Sequence, residues 1–319
     1  MTLSRWILLL VALAPACSKP ESDPSATGSE RLHVAVIPKG TTHVFWKAVE
    51  SGAREAEQEL GVQVEWKGPL KENDRAQQIQ LVEQFVSAKL DGIAIAPLDH
   101  QALVAPLASA TKAKIPVVIF DSDLDGTAGV DFASFVATDN LAGGKLGGEH
   151  LLGLLGQKGK AVMLRYQVGS ASTDAREKGF LAAVSGKLEV LVDNRYAGAT
   201  AGEAKDEALN LLERLREADG IFCSNESATM GMLLALRQAG LAGKKRFVGF
   251  DASPPLVEAL KSGEIDALVV QNPRKMGYLA TKTLVAAIRG EKVETRVDTG
   301  VVVATRENLD DPAIAPLLK

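Results

Sequence analysis

A chain of 319 residues is long enough to form two domains, each with a sizeable core. Apolar residues make up 46% and charged residues 24%, ordinary globular usage that excludes disorder, collagen and a polytopic membrane protein. The net charge of -4, with no long basic tract, argues against a nucleic-acid partner, and two cysteines, Cys17 and Cys223, exclude a disulfide-stapled scaffold and a four-thiolate zinc site.

The first thirty residues stand apart. Met1 to Arg5 carries one positive charge, residues 6–14 form an apolar run of nine, and Pro15, Ala16 and Cys17 follow. Nine helical residues rise about 14 Å against a hydrocarbon core of roughly 30 Å, so the run is a secretion signal and not a permanent span. The small residue before Cys17 resembles the lipobox of bacterial lipoproteins, which implies a signal peptide over 1–16 and a lipidated Cys17 heading a tether over 17–30. Plain secretion with an incidental Cys17 is the other reading. Residues 18–30, with Pro20 and Pro24 among Ser, Asp and Glu, show no apolar period and suit a flexible tether.

Regular alternation begins near Leu32. Apolar, mostly β-branched runs at 32–37, 62–66, 92–96, 115–120 and 134–137 predict strands, and amphipathic stretches at 45–60, 75–88, 102–113 and 141–155 predict the helices between them. A second series follows, with strands at 161–165, 189–193, 220–223, 247–250 and 267–270 and helices at 173–185, 201–216, 228–239, 255–261 and 276–288. The fold class is therefore α/β, two doubly wound parallel-sheet lobes. A last apolar run at 300–305 must join one of the sheets.

Ligands of open α/β sheets sit outside the carboxyl ends of the strands. Applied strand by strand, that rule collects Lys39 to His43, Asp99, Asp121 with Ser122, and Thr138 to Asn140 from the first lobe. The second supplies Arg165 to Arg176, Tyr196 to Thr200, Asn225 with Glu226, Asp251, and Gln271 with Asn272. A faint repeat supports the duplication, since Val118-Ile119-Phe120-Asp121 and Val248-Gly249-Phe250-Asp251 each put a carboxylate past a fourth strand. The set is rich in neutral hydrogen-bonding groups and suits a polyhydroxylated neutral ligand better than a phosphate or a metal. No nucleophile elbow, phosphate loop or dinucleotide fingerprint is present, and the glycines Gly143, Gly144, Gly147 and Gly148 suit close helix packing instead. The histidines His33, His43, His100 and His150 are scattered without metal-ligand spacing, and among them His43 falls in a site loop. Cys223 has no histidine in its motif and reads as a small apolar filler.

Almost the whole chain from Leu32 to about Thr305 resembles the ribose-type periplasmic sugar-binding proteins of bacterial ABC importers. The marks are Phe45-Trp46, Ala137-Thr138-Asp139-Asn140 followed by Gly143-Gly144, Arg176-Glu177-Lys178-Gly179-Phe180, Ser224-Asn225-Glu226, Gly249-Phe250-Asp251, and Gln271 before Asn272-Pro273. The resemblance implies a type I periplasmic binding protein, two lobes joined by a three-stranded hinge with crossovers near Thr138/Asp139, Gln271/Asn272 and Asp298/Val301. Lobe one would then be 31–138 plus 272–299 and lobe two 139–271 plus 300–319.

Carried onto this chain, the family's ligand contacts fall on His43, Phe45, Trp46, Asp121, Asn140, Arg176, Asn225, Asp251 and Gln271. Asp121 and Asp251 accept from sugar hydroxyls, Arg176 donates in a fork, Asn225 and Gln271 do both, and the aromatic pair offers flat faces to sugar C–H surfaces, Trp46 being taken as the wall. Lys39, Ser122 and Tyr196 complete the expected set, Tyr196 as the displaced stacking aromatic of lobe two. Ser122 stands where ribose binders carry Arg, and Ala96 where they carry an amide, which argues against ribose itself. The resemblance implies a lipid-anchored, periplasmic or extracytoplasmic monomer that captures a monosaccharide or related polyol and delivers it to an ABC permease. It implies no enzyme activity, no cofactor, no metal, no nucleic acid and no membrane contact beyond the anchor. An envelope sugar receptor signalling to a sensor kinase or chemoreceptor is the alternative.

Overall fold

The computed structural model describes residues 31–318; the expected signal peptide, Cys17 and the expected tether lie outside the described residues. From the start of this span the chain runs β1 (His33–Ile37), α1 (Val44–Leu60), β2 (Gln63–Trp66), α2 (Arg75–Ser87), β3 (Gly92–Ile95), α3 (Val104–Lys112), β4 (Val117–Phe120) and β5 (Ser134–Ala137). It continues through α4 (Asn140–Leu154), β6 (Gly159–Arg165), α5 (Ala171–Val184), β7 (Leu188–Tyr196), α6 (Ala201–Asn210), α7 (Leu212–Glu217), β8 (Gly220–Cys223), α8 (Glu226–Gln238), β9 (Arg246–Phe250), α9 (Pro254–Ser262) and β10 (Ala267–Gln271). The last elements are α10 (Pro273–Ile288), β11 (Arg296–Asp298), β12 (Val301–Thr305) and two 3₁₀ turns, Arg306–Asn308 and Ala315–Leu318.

Two six-stranded sheets result, ordered β11-β5-β4-β3-β1-β2 in lobe one and β12-β10-β9-β8-β6-β7 in lobe two. All pairings are parallel except β12 against β10. Strands buried on both faces alternate between two cores: in β1, Val34 and Val36 face α1 and α10, while Ala35 and Ile37 face α2 and α3. Lobe two repeats the plan, with α4 and α5 over one face and α6 to α9 over the other. Three links join the sheets: β5 into α4, β10 into α10, and the turn from β11 to β12.

The helix expected over 201–216 is broken at Leu211, where the turn tightens and one amide is shared between the Glu207 and Ala208 carbonyls. The edge strand β11 had no sequence signal, because Arg296 and Asp298 point to solvent from a strand of three residues. The glycines of α4 pack as expected. A Cβ on Gly144 would fall onto the Arg176 carbonyl, and one on Gly147 would meet the Phe222 ring at 2.7 Å. The start of α4 is capped by the Asp139 side chain, which accepts from the Ala142 amide at 3.0 Å.

Candidate functional site

The carboxyl ends of the two sheets face one another, and the groups between them come from strand ends and helix starts. Asp121 follows β4 and Asp251 follows β9, both with left-handed backbone, φ 59° and 69°. Their amides bond to the neighbouring strands, Asp121 to the Val136 carbonyl at 3.1 Å and Asp251 to that of Val269 at 2.8 Å. Each strand is thereby hooked to its neighbour while its carboxylate enters the cleft, and Asp is among the few residues that tolerate this conformation. The Asp251 carboxylate accepts from Gln271 Nε2 at 2.7 Å and from the Glu226 amide at 3.0 Å. Burial pushes its pKa up, with Arg176 opposing.

Arg176, on α5 and 2% exposed, is fixed on three sides. Nε donates to Asn140 Oδ1 at 2.8 Å, Nη1 donates to the Ser224 carbonyl at 3.0 Å, and the guanidinium lies 4.0 Å over the Phe250 ring. Glu72 is a second fixed point. It accepts from Trp46 Nε1 at 2.7 Å and from the Tyr166 hydroxyl at 2.8 Å, and pairs with His43 Nδ1 at 2.5 Å. Burial of His43 works against its charge, but Glu72, helped by Glu226 and Asp251, outweighs burial and raises the imidazole to about 9. Burial likewise opposes the Glu72 carboxylate, and the His43 and Lys39 cations outweigh it and hold its pKa low.

Direct bonds close the cleft from lobe to lobe. Lys39 donates to Ser170 Oγ at 3.1 Å and Ser172 Oγ at 3.0 Å, the Phe45 amide to Glu226 at 3.1 Å, the Ser172 amide to Ser122 Oγ at 3.1 Å, and Asn140 Nδ2 to the Asp121 carbonyl at 3.2 Å. The Tyr166–Glu72 bond adds a further link. The cavity they enclose is tight, about 30 Å³, only a little more than the roughly 10–15 Å³ that a single water needs. Gln271 is among its lining residues, and the side-chain oxygen of Gln271 is buried without a partner among the described residues.

Of the twelve residues expected at the site, Lys39, His43, Phe45, Trp46, Asp121, Arg176, Asn225, Asp251 and Gln271 line this cavity. Phe45 and Trp46 both reach it, their rings edge-to-face at 4.9 Å, and the more buried Trp46 also joins the core through Phe120. Three residues stand elsewhere. Ser122 is spent on closure, and Asn140 lies behind the cavity, tying Arg176 to Asp121. Tyr196, 40% exposed at the end of edge strand β7, faces Arg165 rather than the cleft. The register slips of β7 against β6 carry that strand on to Tyr196, and lobe two's aromatic in the cleft is Tyr166.

Glu226, which the strand-end rule names beside Asn225, also lines the cavity, as do Tyr166, Ser172 and Thr173, which sequence reasoning did not single out, and Glu72, whose loop Lys67 to Glu72 reads from sequence either as solvated or as able to reach a larger hexose. All but Glu72 lie in loops the strand-end rule had collected. Glu72 arrives six residues past β2 in a loop with no motif.

The geometry has close counterparts. A family model described as "Periplasmic binding protein domain" matches residues 34–292. The D-allose-binding periplasmic protein of Escherichia coli K12 is 33% identical over 265 residues, covering 81% of this chain and 85% of that protein. A carbohydrate transporter solute-binding protein of Agrobacterium radiobacter, solved with D-arabinose, superposes with a TM-score of 0.87 at 33% identity, covering 91% of this chain and all of the other. An ABC transporter solute-binding protein of Agrobacterium vitis, solved with D-fucose, gives 0.86 at 36% identity, covering 90% of this chain and all of the other. With two crossed-over lobes around a polar cleft and a family match over most of its length, this chain belongs to the periplasmic binding protein family.

Proposed function

We propose that the chain captures a monosaccharide or related polyol between its lobes and delivers it to an ABC permease. The lining of Asp121 from one lobe and Asp251, Arg176, Asn225 and Gln271 from the other, a set of donors and acceptors converging on one cavity, carries the reading. The relatives bind arabinose, fucose and allose by their names, which supports a monosaccharide here. The site binds without reacting: His43 and Glu72 neutralise each other, and Glu72 is saturated by Trp46 and Tyr166. Sugar recovered unchanged after incubation checks this. At the N-terminus, the Ala16-Cys17 step supports a lipid on Cys17, in the periplasmic or extracytoplasmic space. Intact mass of envelope protein, wild type against Cys17→Ser, tests it.

Calorimetric titration against pentoses, hexoses and polyols tests the capture reading. At least one monosaccharide should bind, and Arg176→Ala and Asp251→Ala should each weaken it by ten- to hundredfold, the effect of losing a hydrogen bond to a charged group. Unaltered affinity in both variants would mean the cleft is not the binding site.

A further inference from the structure

A second cavity, of about 40 Å³, adjoins the polar one. Phe45, Glu226, Asp251 and Gln271 wall both. Beyond these shared residues, the second is lined by Val44, Ala48, Ala252, Val270, Pro273 and Leu317, none of which has a side chain able to donate or accept a hydrogen bond. The partition is built from few groups: the Phe45 ring, the Glu226 carboxylate bonded to the Phe45 amide, and the Gln271 amide bonded to Asp251. A sugar held by the shared Asp251 and Gln271 lies beside the partition. Val44 and Ala48 come from α1 in lobe one, whereas Ala252, Val270 and Leu317 come from lobe two, so the chamber closes with the cleft.

We propose that this apolar chamber receives a non-polar substituent of the bound sugar, so that the ligand class includes apolar glycosides; this rests on the polar cavity being the sugar site. A second sugar ring is disfavoured, because its hydroxyls would face six side chains without a polar atom. Full burial of a three-carbon chain should tighten binding by up to about sixtyfold, at roughly fourfold per buried carbon, and burial of about half of it roughly tenfold.

The test is calorimetry on the full chain with D-allose, D-galactose and D-arabinose, with the α- and β-n-propyl glycosides of each, and with lactose. At least one propyl glycoside should bind about tenfold tighter than its parent sugar, with lactose weaker than galactose. Ala48→Trp and Leu317→Trp, which fill the chamber, should erase the gain, weakening the propyl glycoside more than its parent sugar. Ala48→Leu serves where a Trp variant does not fold. If parent sugars bind and no glycoside binds more tightly, or if the filled variants keep the gain, the chamber is not part of the site. If no parent sugar binds, the sugar reading fails and this proposal falls with it.

Discussion

Lys39 belongs to the cleft without being free to serve a ligand. An ammonium has three donors, and here they face Asp121 at 3.4 Å, Ser170 at 3.1 Å and Ser172 at 3.0 Å in a side chain only 2% exposed. Two of the three partners lie on the opposite lobe, so Lys39 acts as a clasp. Lys39→Met should therefore weaken sugar binding about tenfold by disfavouring the closed form, with little change in the melting temperature of the ligand-free protein; calorimetry and thermal melts separate the two. The residue scale also sets a pH dependence. His43 has a folded-state pKa of about 9, so its contribution is complete below the ordinary 6.5 and is lost as pH rises through 9. Glu177, raised to about 7 by burial, costs stability as it ionises above its ordinary 4.5. Glu72 is held low and weakens the fold only in strong acid. Urea unfolding should accordingly show stability falling between pH 5.5 and 9, and His43→Gln with Glu177→Gln should flatten that slope. Strand ends were legible because a backbone rule locates them whatever the side chain. Glu72 was not, since nothing local in Lys67-Gly68-Pro69-Leu70-Lys71-Glu72 records that the loop folds back over His43 and Trp46.

At the scale of elements, both lobes use the same device. In lobe two α4 presses on α5, where a Cβ on Gly144 would collide with the Arg176 carbonyl and one on Gly179 with that of Leu141. In lobe one α1 presses on α10, Gly52 against the Arg274 carbonyl and Gly277 against that of Val49. Each pair joins a helix that begins at the cleft to a helix that has just crossed between lobes, so site geometry and hinge geometry are set by one contact. Gly144→Ala should cost about 1–3 kcal/mol, as overpacking does, and weaken sugar binding as well because it moves the Arg176 backbone; urea melts and calorimetry read the two effects. A glycine such as Gly153, with open space around it, should tolerate alanine. The regular elements were legible from period alone, because strands buried on both faces are nearly continuous apolar runs and the helices keep a 3.6-residue stripe. The break at Leu211 was not, since it costs the sequence pattern no apolar position: Leu211 and Leu215 are both buried. The edge strand β11 was hidden by its own exposure.

For the molecule as a whole, the proposed capture predicts that the lobes close as rigid bodies about the three links, a ligand touching both lobes supplying the differential affinity that shifts the population. Small-angle scattering should show a smaller radius of gyration at saturating sugar; an unchanged curve would refute ligand-driven closure. Fluorescence offers a second reading. Trp46 lines the cavity, while Trp66 stands half-buried at the end of β2, so Trp46→Phe should remove most of the ligand-induced change. The same crossovers also place a constraint in time. Lobe one begins at His33 but needs α10 and β11, which are 273–298, to cover the face formed by Val34, Val36, Trp46, Val49 and Ala53. During synthesis that apolar face stays open until most of lobe two has been made, and contacts so distant in sequence form slowly. The interval is one in which the chain is aggregation-prone and also still loose enough to be threaded through an export channel. A chain ending at Gln271 should bind a hydrophobic dye strongly, and the full chain should lose that binding as α10 docks.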